Sequence, residues 1–253
     1  MAERSKTKRG RKRGSLVIVG TGYEICARIT PEAAAKIENA DTAFYLVYDW
    51  LDEVWLRGIK PDAVSLAGVF KGRRTPRQCC QLIVQRVMTV VRKGQAVCMA
   101  FSGHPSICVD PTQTAFARAR SEGFPVRMIP GISVLDCLFA DLCLDPTTVS
   151  CRVFDATRFL LRRVPVDRSS GLVLLQIARI GRHSYRKNDV SVITGVKALQ
   201  DLLIQSYGPR HKVIHYQTAV TPLSESIIEE LPVSALHKCE VEFRSTLYVP
   251  PRP

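Results

Sequence analysis

The stretch that most constrains this fold is an apolar run, residues 97–101, which stops abruptly at SGHP (102–105). Glycine permits a tight backbone turn there, and proline cannot continue strand pairing. A second apolar run, residues 126–129, stops at PGIS (130–133). Open α/β sheets bind ligands at the carboxyl ends of their strands. The two breaks therefore predict two strand-end loops that wall one small-molecule pocket, although ordinary connecting loops contain the same residue types.

Each break also leads into a predicted helix. After the first break, Asp110 can cap the helix, Pro111 suits its first turn, and Gly123 fits a left-handed helix end. After the second break, Ser133 is placed to cap the following helix. The order strand, loop, helix thus occurs twice in succession.

The amino-terminal region has the same organisation. Residues 15–19 form a short apolar run that leads into GTG (20–22). Thr30 and Pro31 offer a cap and a first-turn proline for a helix to about residue 39, and residues 43–47 indicate a second strand. This βαβ order predicts parallel pairing with a right-handed crossover. A nicotinamide dinucleotide site is disfavoured, because Ile25 occupies the third glycine position of the G-x-G-x-x-G fingerprint.

Two further segments of the first half are an amphipathic one and a basic one. Residues 48–58 are amphipathic and contain Trp50 and Trp55, which we expect to pack in the core or against another subunit. Residues 71–77 are basic and are interrupted by glycine and proline, so we expect an irregular loop. Residues 78–92 then have the apolar spacing of a helix.

In the second half, Asp145 and Pro146 indicate a boundary between two lobes. Strands are predicted near residues 152–154, 172–177, 212–216 and 245–249, and a helix at 194–207. Gln176 is a polar amide inside an apolar run, so it must bond to an adjacent loop or to a ligand. We expect a basic tail at residues 1–13, an amino-terminal lobe at 14–146 and a carboxyl-terminal lobe at 147–253.

The formal charge of +13 is concentrated at the amino end. Residues 1–14 hold seven Lys or Arg and one acid, which leaves +7 for the remainder. A basic tail can bind nucleic acid, but no aromatic residue interleaves these charges for base stacking, so we favour a solvated tail. No apolar run is long enough to cross a bilayer, and no signal-peptide pattern follows the basic start. We therefore expect a cytoplasmic protein without membrane partners.

The cysteines indicate neither disulfides nor a metal site. Their number, nine, is odd, and they are spread along a mid-sized chain without a signal peptide, which predicts reduced thiols. Structural zinc usually takes short-spaced pairs of Cys or His, and neither the cysteines nor the five histidines have such spacing. We expect no metal.

The motifs GTG (20–22), GHP (103–105) and PGIS (130–133) occur together in this chain, along with the longer segments SLVIVGTG, GHPSICV, SEGFPVRMIPGIS, DCLFADLCLDP, LVLLQ and STLYVPP. The three motifs resemble the tetrapyrrole methylase family of S-adenosylmethionine-dependent methyltransferases. Within that family the longer segments are most similar to the methyltransferase domain of the borosin peptide α-N-methyltransferases, and the likeness extends from residue 14 to residue 251. The resemblance implies a two-lobed α/β fold with a mainly parallel sheet in the first lobe and a mixed sheet in the second. It also implies a homodimer that binds S-adenosylmethionine between the lobes.

Carried over position by position, the resemblance implies nine cofactor contacts. They are Ser102, His104, Ile107, Cys108, Ser133, Gln176, Tyr216, Ser245 and Thr246. The methionyl carboxylate needs hydroxyl or amide partners, and the adenine needs apolar faces and backbone donors. Because the sulfonium is already an activated electrophile, methyl transfer needs alignment with a nucleophile and no metal. His104 is equally compatible with a structural role in its loop.

The family's catalytic residues match less well. A peptide amide nitrogen is a poor nucleophile, so the family uses tyrosines to remove its proton and an arginine to stabilise the carbonyl oxygen. The tyrosine positions of the family read Ala67, Phe70, Cys80 and Ser102 here. The arginine position falls on Pro76, with Arg77 beside it and Arg73 and Arg74 nearby. Candidate catalytic residues are therefore Arg74, Arg77 and Cys80.

Three hypotheses for function remain. The chain is an active methyltransferase for a peptide backbone or for a tetrapyrrole or other small molecule, with Cys80 or a bound water as altered base. Alternatively, it binds S-adenosylmethionine as a catalytically impaired partner of an active homologue. In a third, different class, it is a nucleic-acid-associated protein. Borosin enzymes often carry their substrate as a carboxyl-terminal extension, and this sequence ends just after STLYVPP, so a separate precursor peptide is expected.

Overall fold

The computed structural model describes residues 13–72, 74–181 and 191–252. In the first lobe, strands alternate with helices along the chain. The strands are β1 (Ser15–Gly20), β2 (Thr42–Leu46), β3 (Val64–Ser65), β4 (Ala96–Phe101) and β5 (Val126–Ile129). The helices are α1 (Ile25–Arg28), α2 (Pro31–Glu38), α3 (Trp50–Ile59), α4 (Pro76–Arg92), α5 (Asp110–Ser121) and α6 (Val134–Asp141), and Ala67–Phe70 forms a 3-10 helix.

The first sheet has the strand order β3-β2-β4-β1-β5, and every pair in it is parallel. The central strands β4 and β1 are almost entirely buried, as a parallel sheet covered on both faces requires. All five strands therefore end at the same edge. The expected α/β lobe with a parallel sheet is confirmed.

Helix starts in this lobe follow their capping residues. Thr30 Oγ1 accepts the backbone N–H of Ala33 at the start of α2, as the sequence predicts. Ser133 caps α6 and takes part in a capping box with Asp136. The prediction that Asp110 caps α5 is wrong, because Val109 is the capping position and Asp110 lies in the first turn.

Trp50 does not pack in the core of this chain, since 69% of its surface is exposed at the start of α3, and its packing against another subunit stays a prediction. A further prediction for the first lobe is wrong. The basic segment is not irregular throughout, because α4 begins at Pro76 and includes Arg77. Thr75 and Gln78 form a capping box there, and Pro76 occupies the first turn, where proline is favoured.

The second lobe contains a sheet of different construction. Its strands are β6 (Arg152–Asp155), β7 (Leu172–Leu175), β8 (Lys212–Gln217), β9 (Ile227–Pro232) and β10 (Thr246–Val249). Its helices are α7 (Ala156–Leu161) and α8 (Ser191–Tyr207), with 3-10 helices at Ile177–Arg179 and Val233–Lys238. The order is β6-β7-β10-β8-β9, with β6 and β7 parallel and the other pairs antiparallel. The expected mixed sheet is confirmed.

The two lobes share a hydrophobic cluster. One face of the second sheet packs on α7 and α8. The other face receives α6, whose Val134, Cys137 and Leu138 pack among residues of β7, β8 and β10. Because α6 follows directly from the last strand of the first sheet, it fixes the edge of that sheet against the second lobe.

None of the helices in the described residues combines the length and apolar character needed to cross a membrane.

Candidate functional site

Three glycines bring three strand-end loops into direct contact. They are Gly20 at the end of β1, Gly103 after β4 and Gly131 after β5. A Cβ at Gly20 or at Gly131 would lie 2.4 Å from the carbonyl oxygen of Gly103. Side chains at these positions would therefore drive the loops apart. Glycine is required in these three loops because their backbones meet at the carboxyl edge of the sheet, where a side chain has no room.

A cleft opens beside these loops, between the two lobes; we call it the polar cleft. Its empty volume is about 500 Å³, including its open mouth. Both lobes contribute to its wall. The lining residues are Tyr23, Tyr48, Ser102, His104, Ile107, Cys108, Val109, Ser133, Val134, Leu175, Gln176, Phe243, Arg244 and Thr246.

Seven of the nine predicted cofactor residues line the polar cleft. They are Ser102, His104, Ile107, Cys108, Ser133, Gln176 and Thr246. Tyr216 and Ser245 are buried nearby without lining it. The Tyr216 hydroxyl donates to Asp141 at 2.7 Å, and Ser245 Oγ accepts the backbone N–H of Glu242 at 2.8 Å. The fold therefore brings together one wall from each lobe. Cofactor contact stays a prediction, and Tyr216 and Ser245 lie outside the lining of the cleft.

Ser102 has an unusual position in the polar cleft. Its side chain is buried, yet Oγ has no hydrogen-bond partner in the described part of the chain. A buried hydroxyl without a partner costs roughly 1–3 kcal/mol, so such groups are normally satisfied. A polar ligand in the cleft would supply the missing partner. The donor set of the cleft thus fits a ligand such as S-adenosylmethionine, whose carboxylate and ribose need hydrogen bonds.

His104 and Gln176 are held in defined orientations. His104 Nδ1 accepts the backbone N–H of Ser106 at 3.1 Å, which leaves Nε2 as the N–H donor of the neutral ring. Gln176 Nε2 donates to the Cys108 carbonyl at 3.5 Å, a contact that joins the two lobes. Gln176 and Cys108 both have positive φ angles, 60° and 56°. Such backbone strain in non-glycine residues is concentrated at functional sites.

Two titratable groups of the cleft are kept neutral. Burial raises the pKa of the Tyr23 phenol well above its ordinary value, and the neighbouring Tyr48 adds to the shift. Burial also raises the pKa of the Cys108 thiol to about 11. At neutral pH Cys108 therefore stays a thiol, and it does not compete with a substrate as a nucleophile.

A second cavity adjoins the polar cleft; we call it the apolar cavity. The two share Tyr48, Ser102, Cys108, Val109 and Phe243 as common walls. The apolar cavity has an empty volume of about 810 Å³, including its mouth. Most of its other lining side chains are apolar: Leu46, Phe70, Pro76, Phe101 and Pro111, besides Cys80, Asp110 and Arg179. The pair of cavities is suited to two ligands that meet at Ser102 and Tyr48.

Of the predicted catalytic residues, only Cys80 lines the apolar cavity. Its thiol donates to Thr114 Oγ1 at 3.5 Å. Arg74 donates instead to the carbonyl oxygens of Val69 and Lys71, at 3.2 and 2.6 Å. Arg77 is exposed on α4 and lines neither cavity. Arg73 and the tail residues 1–12 lie outside the described residues.

Sequence reasoning missed seven residues that line the polar cleft: Tyr23, Tyr48, Val109, Val134, Leu175, Phe243 and Arg244. Tyr23 and Tyr48 stack with ring centroids 6.4 Å apart, and Tyr48 contacts Phe243 at 5.2 Å between centroids. Tyr23 and Tyr48 each lie just beyond the carboxyl end of a strand, β1 and β2. Because open α/β sheets bind ligands at the carboxyl ends of their strands, the loops after β1 and β2 could have been included in the predicted site, and with them both tyrosines.

Comparison with known proteins identifies the family. A family model described as Tetrapyrrole (Corrin/Porphyrin) Methylases matches residues 15–232. The chain belongs to the tetrapyrrole methylase family. The resemblance drawn from the glycine motifs is thereby confirmed.

Curated relatives in this methylase family are methyltransferases fused to peptide precursors. The chain is 36% identical over 247 residues to the methyltransferase/ribosomally synthesized cyclic peptide dendrothelin A precursor of Dendrothele bispora, covering 95% of this chain and 58% of the relative. It is also 36% identical over 250 residues to the corresponding omphalotin A precursor of Omphalotus olearius, with the same coverage. The chain thus spans less than two thirds of these relatives' length.

Solved methylase structures share the fold. Uroporphyrin-III-C-methyltransferase from Thermus thermophilus superposes with a TM-score of 0.67 at 18% identity, covering 94% of this chain and 92% of that chain. A structure of uroporphyrin-III C-methyltransferase from the same organism, complexed with S-adenyl homocysteine, gives a TM-score of 0.61 at 16% identity, with the same coverage. These likenesses confirm the two-lobed fold.

Proposed function

We propose that this chain is an S-adenosylmethionine-dependent methyltransferase that methylates backbone amides of a peptide. The observation that carries the proposal is the meeting of the polar cleft and the apolar cavity at Ser102 and Tyr48. Methyl transfer requires a cofactor site and an acceptor site that share a wall, because the donor sulfur and the nucleophile must lie in line.

The polar cleft is the proposed cofactor site. Ser102 Oγ needs a hydrogen-bond partner, and His104 offers an N–H donor. Gln176 joins the two lobes through its hydrogen bond to the Cys108 carbonyl. These groups would hold the ribose and the methionyl end, while Ile107, Val134 and Leu175 offer apolar surface for the adenine. The bound cofactor supplies the methyl group on an activated sulfonium. The neutral Cys108 thiol at the shared wall avoids methylation of the enzyme itself.

The apolar cavity is the proposed acceptor site. The relatives' names describe methyltransferases joined to cyclic peptide precursors, which supports a peptide acceptor. A lining of leucine, phenylalanine and proline suits apolar side chains flanking the acceptor amide. In this proposal the Tyr48 phenol, which borders both cavities, takes the place of the family tyrosines that are absent from positions 67, 70, 80 and 102.

The test is an assay in which the purified chain receives methyl-labelled S-adenosylmethionine and a separate peptide rich in valine and isoleucine. We expect label in the peptide and a fragmentation pattern that locates the methyl group on backbone nitrogen. Calorimetry with S-adenosylhomocysteine measures cofactor binding independently, with Gln176→Ala as a weakened control. Failure to bind the nucleoside at all would refute the assignment of the polar cleft.

A second function is favoured by one observation: the chain lacks the family's phenols. In that case it binds S-adenosylmethionine and acts as a partner of an active homologue. Binding without any transfer to peptides, combined with stimulation of such a homologue, would support this alternative.

Three further predictions from the sequence stay predictions: a homodimer, a separate precursor peptide and a cytoplasmic location. Light scattering measures the oligomeric state directly.

A further inference from the structure

Three metal-binding side chains of different types converge at the outer part of the second sheet. His215 on β8 lies directly opposite Glu229 on β9 in the antiparallel register. Cys239 follows the 3-10 helix Val233–Lys238, which brings the chain back over the same pair. His215 Nδ1 is 3.4 Å from Glu229 Oε2, and Cys239 Sγ is 3.7 Å from the same oxygen. All three ligand atoms lie within 4.8 Å of one another.

These separations are those of neighbouring ligands around one small cation. With metal to sulfur distances of about 2.3 Å and metal to nitrogen or oxygen distances of about 2.0–2.1 Å, tetrahedral ligands lie roughly 3.3–3.6 Å apart. The separation of His215 from Glu229 and that of Glu229 from Cys239 are therefore close to those expected around a bound cation. One nitrogen, one sulfur and one oxygen ligand form a set typical of zinc rather than of calcium or magnesium, which take oxygen ligands.

The second nitrogen of the imidazole is bonded inside the protein. His215 Nε2 lies 2.9 Å from Ser245 Oγ, and this oxygen also accepts the backbone N–H of Glu242 and an N–H of the Gln217 side chain. Coordination through Nδ1 requires the ring proton on Nε2, so binding of a cation would reverse the hydrogen bond between Ser245 and His215. Such outer contacts of a ligand histidine fix both its tautomer and its ring orientation.

Burial leaves the cluster accessible from one side. His215 is buried, Cys239 is half-buried, and Glu229 is half exposed with 54% of its side chain accessible. The Cys239 thiol donates to Glu229 Oε2, and a bound cation would take the place of this hydrogen, with the thiol proton passing to solvent.

We infer that His215, Glu229 and Cys239 form a three-ligand site for a zinc-type divalent cation, with water as the fourth ligand. The site ties β9 and the segment after Val233–Lys238 to β8. Sequence analysis predicted no metal, because the three ligands are 14 and 10 residues apart and only strand pairing brings them together. None of the three residues lines the polar cleft. The proposed cation would hold these segments together, which methyl transfer itself does not require.

The test uses Co²⁺, a spectroscopic substitute for zinc, added to the whole chain after treatment with a chelator. We expect one equivalent of Co²⁺ to give a thiolate-to-cobalt charge-transfer band and the intense d–d bands of a tetrahedral site. Zn²⁺ should displace the cobalt and abolish these bands. Cys239→Ser should lose the charge-transfer band, and Glu229→Gln should keep it while weakening affinity by about tenfold or more.

Cys143→Ser is the matched control, because Cys143 is an exposed thiol outside the cluster, and it should bind cobalt as the unmodified chain does. A charge-transfer band that survives in Cys239→Ser, or the absence of any band at stoichiometric cobalt, would overturn the inference. Calorimetry with S-adenosylhomocysteine on the same samples reports the cofactor site, so the two proposals fail independently. Near-ultraviolet dichroism verifies that each variant is folded.

Discussion

At the scale of single residues, the clearest case is Ser102, a buried hydroxyl whose oxygen has no partner in the described part of the chain. If this hydroxyl serves a ligand, Ser102→Ala should weaken S-adenosylhomocysteine binding by about tenfold, the value of one hydrogen bond. Its effect on stability should be neutral or favourable, because an unsatisfied polar group is removed. Calorimetry and thermal melting measure the two effects.

The control for this prediction is Ser133→Ala. Ser133 also lines the polar cleft, but its Oγ accepts the N–H groups of Leu135 and Asp136 at the start of α6. Loss of such a cap costs about 1 kcal/mol, so this variant should melt at a lower temperature. Equal destabilisation by the two substitutions would contradict the special role of Ser102.

Tyr48 is the second residue whose position predicts a role. It lines both cavities, and its ring is held between Tyr23 and Phe243. Tyr48→Phe keeps the ring contacts and removes the hydroxyl, so methyl transfer to peptide should fall by about 100-fold, as for loss of a general acid or base. The dissociation constant for S-adenosylhomocysteine should not change. Single-turnover kinetics give the first quantity, and a comparable loss of cofactor binding would assign Tyr48 to the cleft alone.

Asp52 predicts a pH effect on stability. Burial raises its pKa from 3.8 to about 6, although the N–H of Ile25 donates to Oδ1 at 3.1 Å. The folded state thus binds this proton more tightly than the unfolded state, and the free energy of unfolding falls as pH rises from about 4 to about 6. Asp52→Asn should therefore gain about 1 kcal/mol relative to the unmodified chain between pH 5 and pH 8, after allowance for solvent screening.

The measurement for Asp52 is denaturant unfolding of both proteins at each pH. Asparagine retains an oxygen that accepts from Ile25, so the tie between α3 and α1 is preserved. Parallel pH dependence in the two proteins would contradict the assignment of the proton to Asp52.

At the scale of elements, the contact of the three strand-end loops is the critical arrangement. Gly131→Ala would place a Cβ 2.4 Å from the Gly103 carbonyl oxygen and 2.8 Å from the Gly20 Cα, and both neighbours are backbone. We expect a loss of about 1–3 kcal/mol in stability and a cofactor affinity lowered by at least about tenfold, because both loops must shift.

Gly58→Ala is the corresponding control for the glycine contact. Gly58 lies exposed in α3, and nothing lies within 4 Å of an added Cβ, so this change should stabilise the helix by up to about 1 kcal/mol. Unfolding midpoints and calorimetry measure both variants. Normal cofactor binding by Gly131→Ala would indicate that the loops tolerate separation.

At the scale of the whole molecule, helix α6 joins the lobes. The Tyr216 hydroxyl on β8 donates to Asp141 at the end of α6, and burial together with this carboxylate raises the Tyr216 pKa. Tyr216→Phe should lower the free energy of unfolding by about 1 kcal/mol, a typical value for one hydrogen bond. Since Tyr216 does not line the polar cleft, the affinity for S-adenosylhomocysteine should stay the same. A large loss of this affinity would support the sequence-based prediction that Tyr216 contacts the cofactor.

The sequence by itself determined most of the order of elements and the loops that carry the site, but it did not predict β3, α7 or β9. Apolar runs ending in glycine and proline, with Thr30 and Ser133 as caps, are local signals, and each was read correctly because capping and strand termination depend on neighbouring residues. The same local logic failed for Asp110, where Val109 takes the capping position. For Trp50 the amphipathic pattern left core and subunit packing open, and the structure excludes only the core.

Only the tertiary structure decided which residues share a cavity. Tyr23, Tyr48 and Phe243 are distant in sequence and meet because β1 and β2 end at the same edge, opposite the segment before β10. His215, Glu229 and Cys239 converge for a similar reason, since antiparallel pairing sets two of them face to face. Strand order and lobe packing depend on contacts across the whole chain, and no local pattern encodes them.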